Sequence, residues 1–350
     1  MRLEAFDFEL PGELIAQQPV HPRDAARLLH VPRTGPLHEA RVRDLPALLR
    51  SGDLLVVNDT RVIPARFHAR RGTARIEITL VRPLDEARWS ALARGARRLR
   101  PGDRLELAPE LWAEVEGRHE GTVILRFDLG GEELRAAIRR HGAMPLPPYI
   151  RRLEPRPADR SDYQTVFARR EGAIAAPTAG LHFTERLLAG LERAGIGLAQ
   201  VTLHVGVGTF LPIRTAEVTR HRMAPEWYEV PEATARAVSR TRARGGRVVA
   251  VGTTVVRTLE SAAADGELRA GAGETDLYIT PGYRFRVVDL LFTNFHLPRS
   301  TLFVLVCAFA GYRRMREAYA FAIARRFRFF SYGDACLLER QDGTDLPEDP

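Results

Sequence analysis

The stretch from Leu290 to Gly311, LLFTNFHLPRSTLFVLVCAFAG, decides how the rest of the chain is read. It opens on four residues that suit a buried strand. It then gathers Thr293, Asn294, His296, Arg299, Ser300 and Thr301, and closes on an apolar run, Leu302 to Ala310, that contains Cys307. Strand, polar loop and buried helix fit this order, with Ser300 or Thr301 as the helix cap. Open α/β sheets bind ligands at the carboxyl ends of their strands, so such a loop is a place to look for a site.

The same pattern recurs outward from it. GDLLVVNDTR (Gly52–Arg61) is a short buried strand ending in a polar loop, and RVVAVGTTVVRTLES (Arg247–Ser261) is a strand, a glycine turn and a helix. PEATARAVSRTRARGG (Pro231–Gly246) reads as a helix with proline at its start and glycines at its end. FTERLLAGLERAG (Phe183–Gly195) reads as one capped by Thr184, and SDYQTVFARREG (Ser161–Gly172) as another ending at Gly172. This alternation predicts an α/β core with a mostly parallel sheet. From Phe67 to Ala143 the texture changes to short alternating segments separated by turn signals, such as ARIEITLVRP and TVILRFDL, which predicts a small antiparallel β-barrel. The expected organisation is a core of residues 1–66 and 144–350 interrupted by an inserted barrel of residues 67–143, with MPLPPYI (Met144–Ile150) as the hinge.

Composition narrows the chemistry. The chain has 350 residues, 45% hydrophobic and 27% charged, as in ordinary soluble proteins. Its start lacks the basic end of an export signal, and its longest apolar run is far below the roughly 20 residues that span a bilayer, so a cytoplasmic protein without a membrane partner is expected. There is no lysine, which excludes Schiff-base chemistry and a P-loop lysine; all 52 basic residues are arginine. Net charge +8 suits a polyanionic partner, although a GC-rich coding bias towards arginine gives the same count. Cys307 and Cys336 make no metal-ligand pattern and read as buried thiols. Asn58 and Asn294 are the two asparagines of the chain, which points to positions that need a paired donor and acceptor.

Polar clusters fall where loops leave strands: VNDTR, PTAGLHFT (177–184), TLHVGVGTF (202–210), VGTTVVRTLES and TNFHLPRST. Thr253 and Thr254, after Gly252, stand at a helix start that favours a carboxylate or phosphate, with Arg257 and Glu260 a turn further on; plain threonine capping is the simpler alternative. Of ten histidines, His182, His204, His221 and His296 lie in or beside the clusters. One close in sequence to Thr178 or Asn294 suits a general acid or base. HRMAPEWYEV places Glu226 beside two aromatics, and FFSYGDACLL offers Ser331, Tyr332 and Asp334 in a glycine turn. No HExxH, GxGxxG, Walker loop or GxSxG is present, so no metal site is expected.

In order and wording, LIAQQPVHPRDAARLL, VVNDTRVIPARF, LPPYI, YQTVFA, AAPTAGLHFT, LHVGVGTFLPI, EWYEV, VGTTVVRTLES, PGYRFRVVDLLFTNFHLPRSTL and FFSYGDACLL resemble the S-adenosylmethionine:tRNA ribosyltransferase-isomerase family over nearly the whole chain. That resemblance implies an enzyme of queuosine biosynthesis, an α/β domain with an inserted β-barrel, and no cofactor beyond S-adenosylmethionine, consumed as substrate. The ribosyl group would pass to 7-aminomethyl-7-deazaguanine at the tRNA wobble position, giving epoxyqueuosine, adenine and methionine. It also implies a monomer. Two positions depart from the family pattern. Ala224 stands where a histidine usually precedes the EWY motif, and Asp162 where an arginine usually precedes YQTV.

On this reading proton transfer belongs to His182, His204 or His296, with Glu226 as an alternative base and Asn294 beside them. Asn58, Asp59 and Asn294 would hold the sugar or base edge, and Thr253, Thr254 and Arg257 the methionine carboxylate. Arg61, Thr178, Glu260, Ser300, Tyr332 and Asp334 complete the expected substrate contacts. A non-catalytic tRNA-binding module and a nucleosidase-like hydrolase that releases adenine without tRNA are the rival classes.

Overall fold

The computed structural model describes all residues except 96–98, 120, 152–155, 207–212, 214, 342, 344 and 348–350. Among the described residues the strands are β1 (Arg27–Val31), β2 (His38–Arg41), β3 (Leu54–Asn58), β4 (Thr60–Val62), β5 (Arg66–Arg71), β6 (Ala74–Pro83), β7 (Arg88–Arg94), β8 (Arg104–Ala108), β9 (Leu111–His119), β10 (Thr122–Phe127), β11 (Arg170–Ala173), β12 (Gly197–Leu203), β13 (Glu226–Val230), β14 (Val248–Val251), β15 (Gly271–Thr275), β16 (Leu290–Asn294) and β17 (Ala335–Glu339). Nine form one sheet in the order β15-β13-β12-β3-β14-β16-β17-β1-β2, six close a barrel, and β4 pairs with β11.

At the centre of the large sheet β12, β3, β14 and β16 are parallel neighbours. β3, β14 and β16 are buried at every position, as strands covered on both faces must be. One apolar layer packs the helices Thr301–Ala310 and Tyr312–Ala324 against a face of the sheet, and a second packs the helix Glu185–Arg193 against the other.

The sheet is mixed rather than mostly parallel. β17 runs antiparallel to β16 because two helices, not one, separate them. A single crossover helix returns the chain to the starting end of the sheet, whereas a helical hairpin leaves it at the opposite end. The hairpin turns at Gly311, whose φ of 87° suits glycine. β13, β15 and β2 pair antiparallel towards the two edges.

The opening stretch folds as its residues require: β16, a loop, and the helix Thr301–Ala310 with the Ser300 hydroxyl accepting from Phe303 N. The helix expected over Ser161–Gly172 is not there. A short turn of helix, Asp159–Asp162, gives way to an irregular segment in which Tyr163, Thr165 and Phe167 are buried alternately, and β11 follows. Gln164 settles the matter: its side-chain amide accepts from Val62 N (3.1 Å) and donates to Val62 O (3.1 Å), a long-range pairing that local pattern does not reveal.

Barrel strands β6 and β9 bury alternate residues, Ile76, Ile78 and Leu80 on one and Leu111, Ala113 and Val115 on the other, as strands with one face on a core do. The helix Gly131–His141 closes the barrel interior with Leu134 and Ile138. No described helix is long and apolar enough to cross a membrane. Where the chain returns from the barrel, a Cβ added at Gly142 would lie 1.6 Å from Pro64 O. Gly142→Ala should therefore cost about 3 kcal/mol or more through forced backbone displacement. A melting temperature within a degree of the parent protein would contradict that close approach.

Candidate active site

Because β12, β3, β14 and β16 are parallel, their carboxyl ends lie along one edge, and the polar clusters follow them in a row. At the ends of β3 and β12 stand Asp59, Thr60 and His204. At the end of β14 come Gly252, Thr253 and Thr254, and at the end of β16 stands Asn294 with Thr178 and His182.

His204 is half-buried and held on three sides. Its Nδ1 lies 2.8 Å from Thr60 Oγ1, and its ring stacks on Trp227 at 5.1 Å and 20°. A Cβ added at Gly172 would come within 2.8 Å of the imidazole. The Arg170 guanidinium lies 5.4 Å from the Trp227 ring centre and pairs with Glu229 at 2.8 Å. Burial, then Arg170, lower the His204 pKa, with Asp59 opposing, so the ring is neutral at pH 7. Asp59 itself accepts from Thr202 Oγ1 at 2.7 Å.

His182 is fully buried. Its Nε2 lies 3.1 Å from Asn294 Nδ2, whose other bond goes to Phe330 O (3.1 Å), while Asn294 Oδ1 accepts from Thr178 Oγ1 (3.2 Å). An amide that donates twice requires His182 Nε2 to accept, which puts the ring proton on Nδ1. Burial, then Arg23 and Arg328, push the His182 pKa down to about 3. Arg23 donates to Leu181 O (2.8 Å) and lies 5.4 Å over the Tyr332 ring. Tyr149 OH is 2.5 Å from Ser331 Oγ, and Gln17 Nε2 donates to Tyr149 O at 2.9 Å. Gln17, Arg23 and Tyr149 thus join Ser331 at this centre, although the sequence gives those three no site role. All four sit in motifs quoted above, where MPLPPYI reads only as a hinge.

The Thr254 hydroxyl has no hydrogen-bond partner among the described residues, at the start of the helix Thr253–Ala262. Arg257, by contrast, has a protein acceptor at each of its three side-chain nitrogens. It pairs with Glu226 in a buried contact and donates to Leu277 O (3.0 Å) and Thr275 O (3.2 Å). Glu226 also accepts from Gly206 N at 2.8 Å, so this pair holds Gly206, in the loop after His204. The rest of that loop, 207–212, lies outside the described residues.

Other expected site residues spend their polar atoms on the fold. Asn58 bonds both N–H and C=O of Leu203 (3.1 and 2.9 Å). Glu260 accepts from the backbone of Arg286, Val287 and Val288. Ser300 caps its helix, and Asp334 accepts from Arg27 N and Arg328 N. The His296 ring is buried with Nε2 3.0 Å from Thr293 Oγ1, and its backbone N–H donates to Tyr319 OH. Arg61 is exposed and donates to Ala168 O. Asp162 sits 3.4 Å from His21 Nε2. A separate cavity of about 660 Å³ opens between barrel and core, lined by Arg66, Glu77, Arg94, Pro147, Arg151 and Tyr163 among others. None of the site residues expected from sequence lines it.

Residues 3–338 match the family model described as "Queuosine biosynthesis protein". The chain belongs to that family. It is 58% identical to the "S-adenosylmethionine:tRNA ribosyltransferase-isomerase" of Gluconacetobacter diazotrophicus over 339 residues, 96% of each chain. It is 58% identical to the protein of the same name from Acidiphilium cryptum, over 97% of this chain and all of that one. Among solved structures, the S-adenosylmethionine tRNA ribosyltransferase of Thermotoga maritima is 41% identical with a TM-score of 0.56, covering 95% of this chain and 99% of that one. Within this queuosine biosynthesis family the row of polar residues is the natural candidate for chemistry.

The two buried histidines also govern stability. Burial pushes His296, like His182, down to about 3. Above about pH 6.5 both the folded and unfolded states keep these rings neutral. As pH falls below 6.5 the unfolded chain takes up protons that the folded chain refuses until about pH 3, so stability is lost on acidification. By pH 5 each ring should cost about 2 kcal/mol. Urea melts at pH 7 and pH 5 should show His296→Gln losing about 2 kcal/mol less than the parent protein; equal losses would contradict the assignment.

Proposed function

We propose that the protein transfers and isomerises the ribosyl group of S-adenosylmethionine onto 7-aminomethyl-7-deazaguanine at the wobble position of tRNA, giving epoxyqueuosine, adenine and methionine. The observation that carries this reading is the 58% identity, over essentially full length, to enzymes named for that transfer. The row of neutral histidines, amide and threonines at the carboxyl edge supports it.

The reaction needs a proton acceptor for the acidic carbon next to the sulfonium, a proton donor for departing adenine, and a hold on the methionine carboxylate. His204 is the proposed acceptor. It is neutral at pH 7, partly open to the site, and its Nε2 has no hydrogen-bond partner among the described residues. Once protonated it is an acid stronger than free imidazole, suited to return the proton to the leaving base. His182 and Asn294 act as a fixed polar wall. Thr253 and Thr254 at the helix start hold the carboxylate, where free amides and the helix dipole favour an anion. Arg257 acts one step back, by fixing Glu226.

Residues 67–143 are taken as an inserted unit that helps to seat the RNA. The cavity between barrel and core carries Arg66, Arg94 and Arg151 against one carboxylate, Glu77, a balance that suits phosphates. The protein is read as a cytoplasmic monomer that requires no cofactor.

Purified protein should release adenine and methionine from S-adenosylmethionine only with tRNA bearing 7-aminomethyl-7-deazaguanine, together with the corresponding mass gain in the nucleoside. Adenine release without tRNA would mark a hydrolase, and tRNA binding without turnover a binding module. Activity should fall steeply between 50 and 200 mM salt if several phosphates are contacted, by about tenfold or more. A flat salt response would remove the phosphate role of the arginines.

A further inference from the structure

The VNDTR motif suggests Asn58, Asp59 and Arg61 as ligand contacts and passes over Thr60, yet Thr60 is the residue that touches His204. Its hydroxyl oxygen lies 2.8 Å from His204 Nδ1 and 3.5 Å from Arg170 O, which can only accept. Two proton arrangements are open. If Thr60 donates to Nδ1, the ring proton sits on Nε2, where no acceptor exists among the described residues. If Nδ1–H donates to Thr60, the hydroxyl proton turns to Arg170 O, every proton has an acceptor, and Nε2 keeps its lone pair. The ring plane is fixed independently, by Trp227 stacked on the imidazole at 5.1 Å and by Gly172, where any side chain would collide with the imidazole at 2.8 Å. The φ of Gly172, 147°, further disfavours a side chain there.

We propose that Thr60 is a positioning residue: it accepts the Nδ1 proton of His204, selects the tautomer with an unprotonated Nε2, and with Gly172 and Trp227 aims that nitrogen at the substrate. This rests on His204 as the proton acceptor of the transfer reaction. In the step it supports, Nε2 takes the proton from the carbon beside the sulfonium, the electron pair stays on that carbon, and the imidazolium keeps its Nδ1–H bond to Thr60. The charged groups around the ring are Arg170, which opposes the imidazolium, Asp59, which favours it, and Glu229, which is occupied by Arg170.

The test uses the full-length enzyme with S-adenosylmethionine and tRNA bearing 7-aminomethyl-7-deazaguanine. Thr60→Val keeps the shape and removes the hydroxyl. It should lower kcat on the order of tenfold to a hundredfold, the scale of losing an orienting partner of a working histidine, with KM unchanged and the acidic limb of the kcat–pH profile displaced. Thr60→Ser should restore both. Nitrogen-15 NMR, with the His204 signals assigned by their loss in His204→Gln, should show protonated Nδ1 and bare Nε2 in the parent protein. Gly172→Ala should lower kcat as well by displacing the ring. A parent protein protonated on Nε2, or a Thr60→Val enzyme with parental kcat and pH profile, would overturn the proposal. If His204→Gln itself keeps parental kcat, the proton-acceptor reading fails first. If His204→Gln is inactive while Thr60→Val is normal, the role of Thr60 alone fails.

Discussion

Four neighbouring parallel strands must end on the same side of their sheet, and the candidate site is a consequence of that geometry. β12, β3, β14 and β16 deliver Thr60 and His204, Gly252 to Thr254, and Asn294 to one edge without any loop having to travel far. Asn58 keeps the first two strands in step. Its amide grips both backbone groups of Leu203, so Thr60, just past the end of one strand, and His204, just past the end of the other, meet at hydrogen-bond distance. A substitution at Asn58 would leave Leu203 unpaired and would loosen the contact that orients the imidazole.

Burial sets the chemistry of this edge. All three candidate histidines are held neutral, chiefly by desolvation, but their surroundings differ. His182 and His296 are enclosed and bonded to protein groups, so they contribute rigidity and an acid-sensitive stability. His204 is the half-open one. The Glu226–Arg257 pair holds Gly206, two residues past His204, and both charges are largely out of water, so each depends on the other and on the backbone groups around it. That network gives each side-chain nitrogen of the arginine a protein acceptor.

Much of this could be seen in the linear order of residues. Leu290–Gly311 reads as strand, loop and capped helix because each element obeys local rules of apolarity and capping. The period-two alternation from Phe67 onward marks the antiparallel barrel for the same reason. Long-range pairings were not legible. Nothing near Ser161–Gly172 signals that Gln164 bonds Val62, or that the helix after Gly311 turns β17 antiparallel. Asn58, Glu260, Ser300 and Asp334 look like ligand contacts because a polar side chain in a loop has the same local signature whether its partner is a substrate or a distant backbone amide. Arg23 and Tyr149 went unassigned for the converse reason, since their partners, Leu181 and Ser331, lie far along the chain.

The most direct measurement is a crystal structure with S-adenosylmethionine bound. The account predicts the sulfonium at the carboxyl edge of β12 and β3, with a carbon attached to the sulfur within about 3.5 Å of His204 Nε2 and the carboxylate at Thr253 and Thr254. Density for the ligand inside the cavity between barrel and core, with His204 out of reach of every carbon next to the sulfur, would contradict it.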